Sequence, residues 1–547
     1  MALNASTRLP RFGSRQILIL VCGTVLVLYL FTSGRSPTSS GTLKGAAQRR
    51  AQLLDSCPYS TSHKHVPTVI LEGSQESDKA ANRTYNLGSA AFAPYSYPPR
   101  ELRFAQQKPD GSKLAAAKPK PGQGRLHEGV QGDEKGEQLC SSYAVPSSPR
   151  PVVPVGWKNS KIMFGMSTTP DRVLWNLPVW QHWLPAALNA PLDPTNLDQV
   201  SSLPLLLVLT PPPNPTEEAR TREAVEEAQT LGMYVEMRKR EADRFETRYF
   251  ALAEELYREA LRRESQGGDR VEWFVFADDD TFFPDFDSLV RLLSSYDSND
   301  DQLIGTLSES TKQVAQWGHI AYGGAGIYVS RATIEKMNSN DAWATCLTKF
   351  GSAFGGDAMI SHCASLVVNK DIKDVLIVDD TLHQLDIRGD GTGFFQSGFL
   401  ITSLHHWGSW FTIFPPWHET GMGDLRKGIT LVGKAAKAVG GDNWGRRYTF
   451  ENGKVVVSLG YSIVIEREPL TQDQLDQSEH TWWEFETFHP IRPGQEEGLD
   501  KRTYYITGVR TLSPDGIVRL EHKNREGERV DLIWDQRTKL QSTGGWF

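Results

Sequence analysis

The stretch Val271-Glu-Trp-Phe-Val-Phe-Ala-Asp278-Asp279-Asp280-Thr281 decides the fold. Its apolar run holds three aromatics and two valines and reads as a buried strand. The run ends in three consecutive carboxylates. Like charges side by side repel, and they are costly at a strand end unless a cation offsets them. Carboxylate oxygens are the ligands that Mg2+ and Mn2+ prefer. In open α/β sheets, ligands bind outside the carboxyl ends of the strands. A strand delivering Asp-x-Asp to that edge can hold a divalent metal against a diphosphate. Two other readings compete. The acids could form a plain turn, with Asp280 capping the next helix. Alternatively, one Asp is a phosphohydrolase nucleophile, a pattern that Thr281-Phe-Phe-Pro284 fits poorly.

Working upstream, Lys161-Ile-Met-Phe-Gly-Met166 and Leu203–Thr210 read as strands, and Met233–Met237 as a third. Pro215-Thr-Glu-Glu opens a helix with acids in its first turn. Asp243–Glu264 reads as a long helix with Phe245, Tyr249, Leu252, Leu256 and Leu261 along one face. Strands alternating with helices predict an α/β fold, a mostly parallel sheet flanked by helices. Beyond Arg426 the pattern turns β-rich, with an Asn452-Gly turn between two β-prone runs.

Downstream lie three further pieces of chemistry. Gly323-Gly324-Ala-Gly326 runs into an apolar strand, and glycines let backbone approach a ligand closely. A tight turn explains such clusters as well. Gly355-Gly356-Asp357 opens a helical pattern, so Asp357 is either an N-cap or a carboxylate poised as general base. His405-His406 follows an apolar run, and one of the pair could complete the shell of a carboxylate-bound metal.

The order and surroundings of these pieces resemble glycosyltransferase family 31, the fringe-like β-1,3-glycosyltransferases. The matching segments are Phe164-Gly-Met-Ser-Thr-Thr169, Trp273–Thr281, Tyr322–Gly326, Gly356-Asp357 and Leu404-His-His406, within about Lys161–Val509. Phe411-Thr-Ile-Phe-Pro-Pro and Val457-Ser-Leu-Gly-Tyr461 bring the chain nearest to the fringe-like domain of unknown function of plants and fungi. The resemblance implies a GT-A-type sheet, a UDP-sugar donor, Mn2+ (or Mg2+), and inversion at the anomeric carbon. By the same resemblance, Asp280 and His405 look like the metal ligands, with His406 as the alternative. Asp278 and Asp279 look like partners of the ribose and the metal-bound water. Ser167, Thr168, Thr169 and Arg172 fall in a loop near the uracil and ribose, and Gly323 and Gly324 beside the nucleotide-sugar. Asp357 stands where such proteins carry their base, although this chain has Gly-Gly-Asp where the family has Pro-Asp-Asp. The acceptor implied is a glycan or glycoprotein. An inactive carbohydrate-binding or scaffolding protein is the alternative, and the intact acidic triplet argues against it.

The remaining features bound the setting. In 547 residues, 59 basic against 66 acidic side chains give a net charge of −7, which is no nucleic-acid footprint. Gln16–Gly34 carries no charge and follows Arg8, Arg11 and Arg15. It reads as a signal-anchor behind a cytosolic tail, or else as a cleaved signal peptide. The expected organisation is a tail over 1–15, a transmembrane span over 16–34, a flexible luminal stem over 35–150, a catalytic domain over 151–425 and a β-rich module over 426–547. A single-pass type II protein of the Golgi membrane is the corresponding location. Asn82-Arg-Thr is a luminal glycosylation sequon. Of five cysteines, the four outside the span allow three pairings, and Cys57–Cys140 with Cys346–Cys363 gives the shortest loops.

Overall fold

The computed structural model describes residues 153–535, except 189, 213–214, 354, 387, 411–424, 484–486, 488–489 and 514–515. It also describes three earlier strands, Thr68–Ser74, Thr84–Asn86 and Cys140–Pro146. The proposed anchor, Cys57 and Asn82 lie outside the described residues. Among the described residues, no helix is long and apolar enough to cross a membrane.

Seven strands form the central sheet: β1 (Ile162–Ser167), β2 (Leu205–Thr210), β3 (Val235–Lys239), β4 (Trp273–Phe276), β5 (Leu303–Gly305), β6 (Ile327–Ser330) and β7 (Leu376–Val378). Their order is β7-β5-β6-β4-β1-β2-β3. Strand β6 runs antiparallel to β4 and β5, and every other pairing is parallel. This is the α/β sheet that the alternating pattern predicts. Both faces are covered, which is why these strands read as continuous apolar runs. Along β1, Ile162, Phe164 and Met166 face one core and Met163 faces the other. Because β1 and β4 are parallel neighbours, Ser167–Thr169 and Asp278–Asp280 leave the sheet at the same edge.

The helices named here are α1 (Pro170–Trp180), α2 (Pro215–Thr230), α3 (Phe245–Ser265), α4 (Phe286–Ser294), α5 (Ala342–Phe350), α6 (Gly356–Val368) and α7 (Leu425–Val439). The apolar stripe expected on α3 holds only in its middle. Tyr249, Leu252 and Leu256 are buried, but Phe245 and Leu261 are exposed. Buried Glu255 and Glu259 occupy the helix's inner side, because arginines at the end of β3 reach them. Arg238 Nη2 lies 2.5 Å from Glu259 Oε2, and Arg240 Nη1 donates to Glu255 Oε1 at 3.0 Å. A disulfide joins Cys346 of α5 to Cys363 of α6.

The C-terminal part is an antiparallel meander of β8 (Arg447–Phe450), β9 (Val455–Ser458), β10 (Ser462–Glu466), β11 (Lys501–Ser513), β12 (Ile517–Lys523) and β13 (Arg529–Asp535). Asn452 adopts φ 56° in the β8–β9 turn, the left-handed conformation that Asn tolerates. Three strands from the segment read as stem complete this sheet. Thr84–Asn86 pairs with β8, Thr68–Ser74 with β13, and Cys140–Pro146 with Thr68–Ser74, all in parallel. The module shares most of its core with the central sheet: Tyr448, Val457, Tyr504 and Leu532 belong to the same buried cluster as Phe164 and Trp273. Only Val456, Leu470 and Leu475 form a small cluster apart among the described residues.

Candidate active site

The turn after β4 is fixed by hydrogen bonds that its own sequence supplies. Asp278 N–H donates to Thr281 Oγ1 at 3.0 Å, and Thr281 Oγ1 donates to the Gly324 carbonyl at 2.8 Å. One hydroxyl thus ties the acidic triplet to the glycine loop. Phe282 and Leu404 then exchange two backbone bonds, at 2.8 and 2.9 Å. That bridge delivers His405 to the triplet across more than a hundred residues of chain. The next helix, α4, is capped by Asp285 and not by Asp280.

The three carboxylates do different things. Asp279 is only 6% exposed and turns toward α1. Arg172 clamps its two oxygens, Thr168 donates to one of them, and Trp180 Nε1 donates to its backbone carbonyl at 3.1 Å. Asp278 and Asp280 instead face His405, whose Nε2 lies 3.5 Å from Asp278 Oδ2 and 2.9 Å from Asp280 Oδ1. Burial pushes the Asp278 carboxyl up to about 7, against the pull of His405 and with the push of Asp280. Burial also acts on Asp280, but the charge and hydrogen bond of His405 override it and hold that carboxyl well below the usual range. Burial opposes charge on His405 too, and Asp280 outweighs it, raising the imidazole to about 9.

His405 is 3% exposed, and its Nδ1–H donates to the Gln384 carbonyl at 3.2 Å, which leaves Nε2 toward the carboxylates. Glycine is required beside it: a Cβ on Gly324 would sit 2.1 Å from His405 Nδ1. The His406 ring lies 3.8 Å from that of His405, between centroids. Asp280, His405 and His406 each bring a ligand atom within 4.8 Å of the others. A carboxylate oxygen with imidazole nitrogens, one of them oriented by a carbonyl, fits a divalent cation of the Mn2+ kind. Cation binding at Nε2 would displace the proton that His405 shares with Asp280.

Asp357 lies in the first turn of α6, whose N-cap is Gly355 and not Asp357. Its oxygens accept from Gly323 N at 3.3 Å and Ala358 N at 2.8 Å. Burial pushes its carboxyl above the usual range, against those backbone donors. Gly323 therefore touches Asp357, Gly324 touches His405, and one loop spans both groups. Of the remaining expected residues, Ser167 accepts from Arg248 Nε at 3.0 Å and Thr169 is the N-cap residue of α1.

The sequence reading missed Tyr249, Gln384 and Asp386. The Tyr249 ring fills the space that a Cβ on Gly356 would need, 2.5 Å from its ring carbon, and its hydroxyl is buried with no hydrogen-bond partner among the described residues. Gln384 also accepts from Ala325 N through Oε1, at 2.9 Å. Asp386 is anchored by Ser308 Oγ at 2.5 Å and lies 3.4 Å from His406 Nδ1. Tyr249 reads in the sequence only as part of the helix's apolar face, and no sequence signal marked Gln384 or Asp386, each a single polar residue in a loop. Only the parallel pairing of Leu382-His383 with Ser403-Leu404 brings 384–386 beside the histidines.

Comparison with known proteins agrees with the resemblance. Residues 233–387 match the fringe-like family, and residues 313–496 match a family described as protein of unknown function, DUF604. No curated protein matches the chain. Among solved structures, one similar chain is the mannosyltransferase PcManGT from Pyrobaculum calidifontis in complex with GDP-Man and Mn2+. It is 13% identical over 55% of this chain and 75% of that one, with a TM-score of 0.24. Another is mouse xyloside xylosyltransferase 1 in its apo form, 7% identical over 49% of this chain and 92% of that one, with a TM-score of 0.26.

Proposed function

The chain carries a fringe-like domain of the glycosyltransferase class, and from that premise we propose that it is a metal-dependent, inverting transferase. It moves a hexose or N-acetylhexosamine from a UDP-sugar to a hydroxyl of a glycan or glycoprotein, forming a β-1,3 linkage. The observation that carries this reading is the convergence of Asp280, His405 and Asp357 on one glycine loop, with separate surroundings for each carboxylate.

Asp280 and His405 would hold Mn2+ or Mg2+, which supplies positive charge to a departing diphosphate. Asp278, partly exposed and facing His405, borders the same space and suits contact with the ribose or a bound water. Asp279 holds α1, and with it Thr168 and Thr169, against the triplet, so the nucleotide loop is set by the same turn. Asp357 takes the proton from the acceptor hydroxyl. Its raised affinity for a proton strengthens it as a base, and the Gly323 N–H aims it. A single displacement needs no covalent nucleophile. In the same reading the chain is anchored in the Golgi membrane through Gln16–Gly34, with Asn82 in the lumen. Protease protection in sealed microsomes checks this, and digestion of the catalytic domain without detergent contradicts it.

Asp280→Asn should weaken Mn2+, because an amide lacks the charge that holds a divalent cation. Asp357→Asn should leave Mn2+ and UDP binding nearly intact while cutting turnover by about 10²–10⁴-fold. UDP release from a panel of UDP-sugars, beside calorimetry with Mn2+ and UDP, reads both. Loss of Mn2+-dependent UDP binding in Asp357→Asn, or normal binding in Asp280→Asn, inverts the roles.

A further inference from the structure

Two backbone oddities lie side by side at the histidine pair. Leu385 and His406 both have positive φ, 51° and 52°. For side chains with a Cβ this conformation is costly, and it persists where the surroundings impose it. Both lie at the end of the same short parallel pairing, Leu382-His383 beside Ser403-Leu404.

The Leu385 turn does three things at once. Gln384 presents its carbonyl to His405 Nδ1 at 3.2 Å. Leu385 N–H donates to buried Glu309 at 2.7 Å, which locks the turn. Asp386 places Oδ1 3.4 Å from His406 Nδ1, with its other oxygen held by Ser308. Each imidazole of the pair therefore has an oxygen of this one segment beside its Nδ1, hydrogen-bonded for His405 and at 3.4 Å for His406. A metal-binding histidine is usually oriented in this way, by a carbonyl or carboxylate on the nitrogen the metal does not use. Simple packing of a surface histidine requires neither a buried carboxylate nor a left-handed backbone.

We propose that Asp386 is a positioning residue that holds His406 as a second imidazole of the metal centre, so that Asp280, His405 and His406 together form the site. The inference rests on the metal-centre reading above and extends it. Asp386 accepts the Nδ1 proton of His406, and Nε2 is the nitrogen offered to the cation. Gln384 does the same for His405 through its carbonyl.

The test is Mn2+ binding to the full chain, by calorimetry and by counting coordinated imidazole nitrogens in pulsed electron paramagnetic resonance. Wild type should show two such nitrogens and His406→Ala one. Asp386→Asn should weaken Mn2+ by about 10- to 100-fold, and Asp386→Glu should recover part of that loss. In the His406→Ala background, Asp386→Asn should cost nothing further, because its effect passes through that ring. The thermal midpoint without metal serves as a folding control: a residue that merely braces the loop would lower it without changing the nitrogen count. One nitrogen in wild type, or an equal Asp386→Asn penalty with and without His406, overturns the proposal while leaving the Asp280–His405 centre standing. Absence of Mn2+ binding by wild type removes both.

Discussion

At the scale of single residues, the site is built as much from missing side chains as from those present. Gly324 lies so close to His405 that a methyl group would meet the ring at 2.1 Å from Nδ1. The neighbour is a buried imidazole pinned by Gln384 and Asp280, so it cannot swing clear at low cost. Gly324→Ala should therefore displace His405 and lower Mn2+ affinity by roughly tenfold or more, as loss of an orienting contact does. Mn2+ calorimetry reads this directly, and unchanged affinity would mean that the glycine loop shifts instead of the ring. The acidic triplet, the glycine cluster and the histidine pair were legible because each concentrates its chemistry in adjacent residues. That Asp279 turns to α1 while Asp280 turns to His405 was not legible. In an irregular turn, neither the period of a strand nor that of a helix assigns side chains to faces. Asp386 was silent for another reason: its partner His406 is set beside it only by tertiary pairing.

At the scale of elements, α1 is joined to the sheet edge through one buried carboxylate. Asp279 is the acceptor for Arg172 and Thr168, and Trp180 at the far end of α1 binds its carbonyl. Removing one partner of a buried pair leaves an uncompensated charge, at about 3–5 kcal/mol when both groups are buried. The Arg172 side chain is 61% exposed, so solvent screens the pair and the cost should be nearer 1–2 kcal/mol. Arg172→Ala should lower the urea midpoint accordingly. It should also weaken UDP binding, since Thr168 and Thr169 would lose their fixed place. A variant that is destabilised but binds UDP normally would remove this loop from the nucleotide site. The strands and long helices were readable because burial on both faces writes itself as apolar runs. The details of α3 were not: Phe245 and Leu261 are exposed, while ion pairs with Arg238 and Arg240 let Glu259 and Glu255 lie buried within the helix. The three strands within 35–150 went unread for a different reason. The Pro, Ser, Gly and Lys around them dominate the composition, although Thr68–Ser74 itself holds the apolar run Val69-Ile70-Leu71. They pair with β8, with β13 and with one another.

At the scale of the whole molecule, the C-terminal sheet shares a core with the catalytic sheet, so its protonation bears on the stability of both. Two buried groups in it titrate in opposite senses. Burial pushes the His522 imidazole down to about 3. The unfolded chain takes up that proton near pH 6.5 and the fold does not, so stability falls as pH drops from about 6.5 toward 3. Burial, with Glu479 beside it, pushes the Glu466 carboxyl up to about 8, although Arg492 and Lys501 pull the other way. Here the fold keeps a proton that the unfolded chain releases near pH 4.5, so stability falls as pH rises from about 4.5 to 8. Each proton changes stability by about 1.4 kcal/mol per pH unit. Between roughly pH 4.5 and 6.5 the two slopes cancel, and beyond either side one acts alone. These two groups together should give a plateau over that mildly acidic range. Stability should then fall by about 2 kcal/mol on reaching pH 8. Glu466→Gln should flatten the alkaline limb and His522→Gln the acid limb, each leaving the other in place. Denaturant unfolding of the three proteins from pH 4 to 8.5 measures both limbs. An alkaline limb that survives Glu466→Gln would place its proton on another group, and the sharing of charge among Glu466, Glu479, Arg492 and Lys501 would then favour an ionised Glu466.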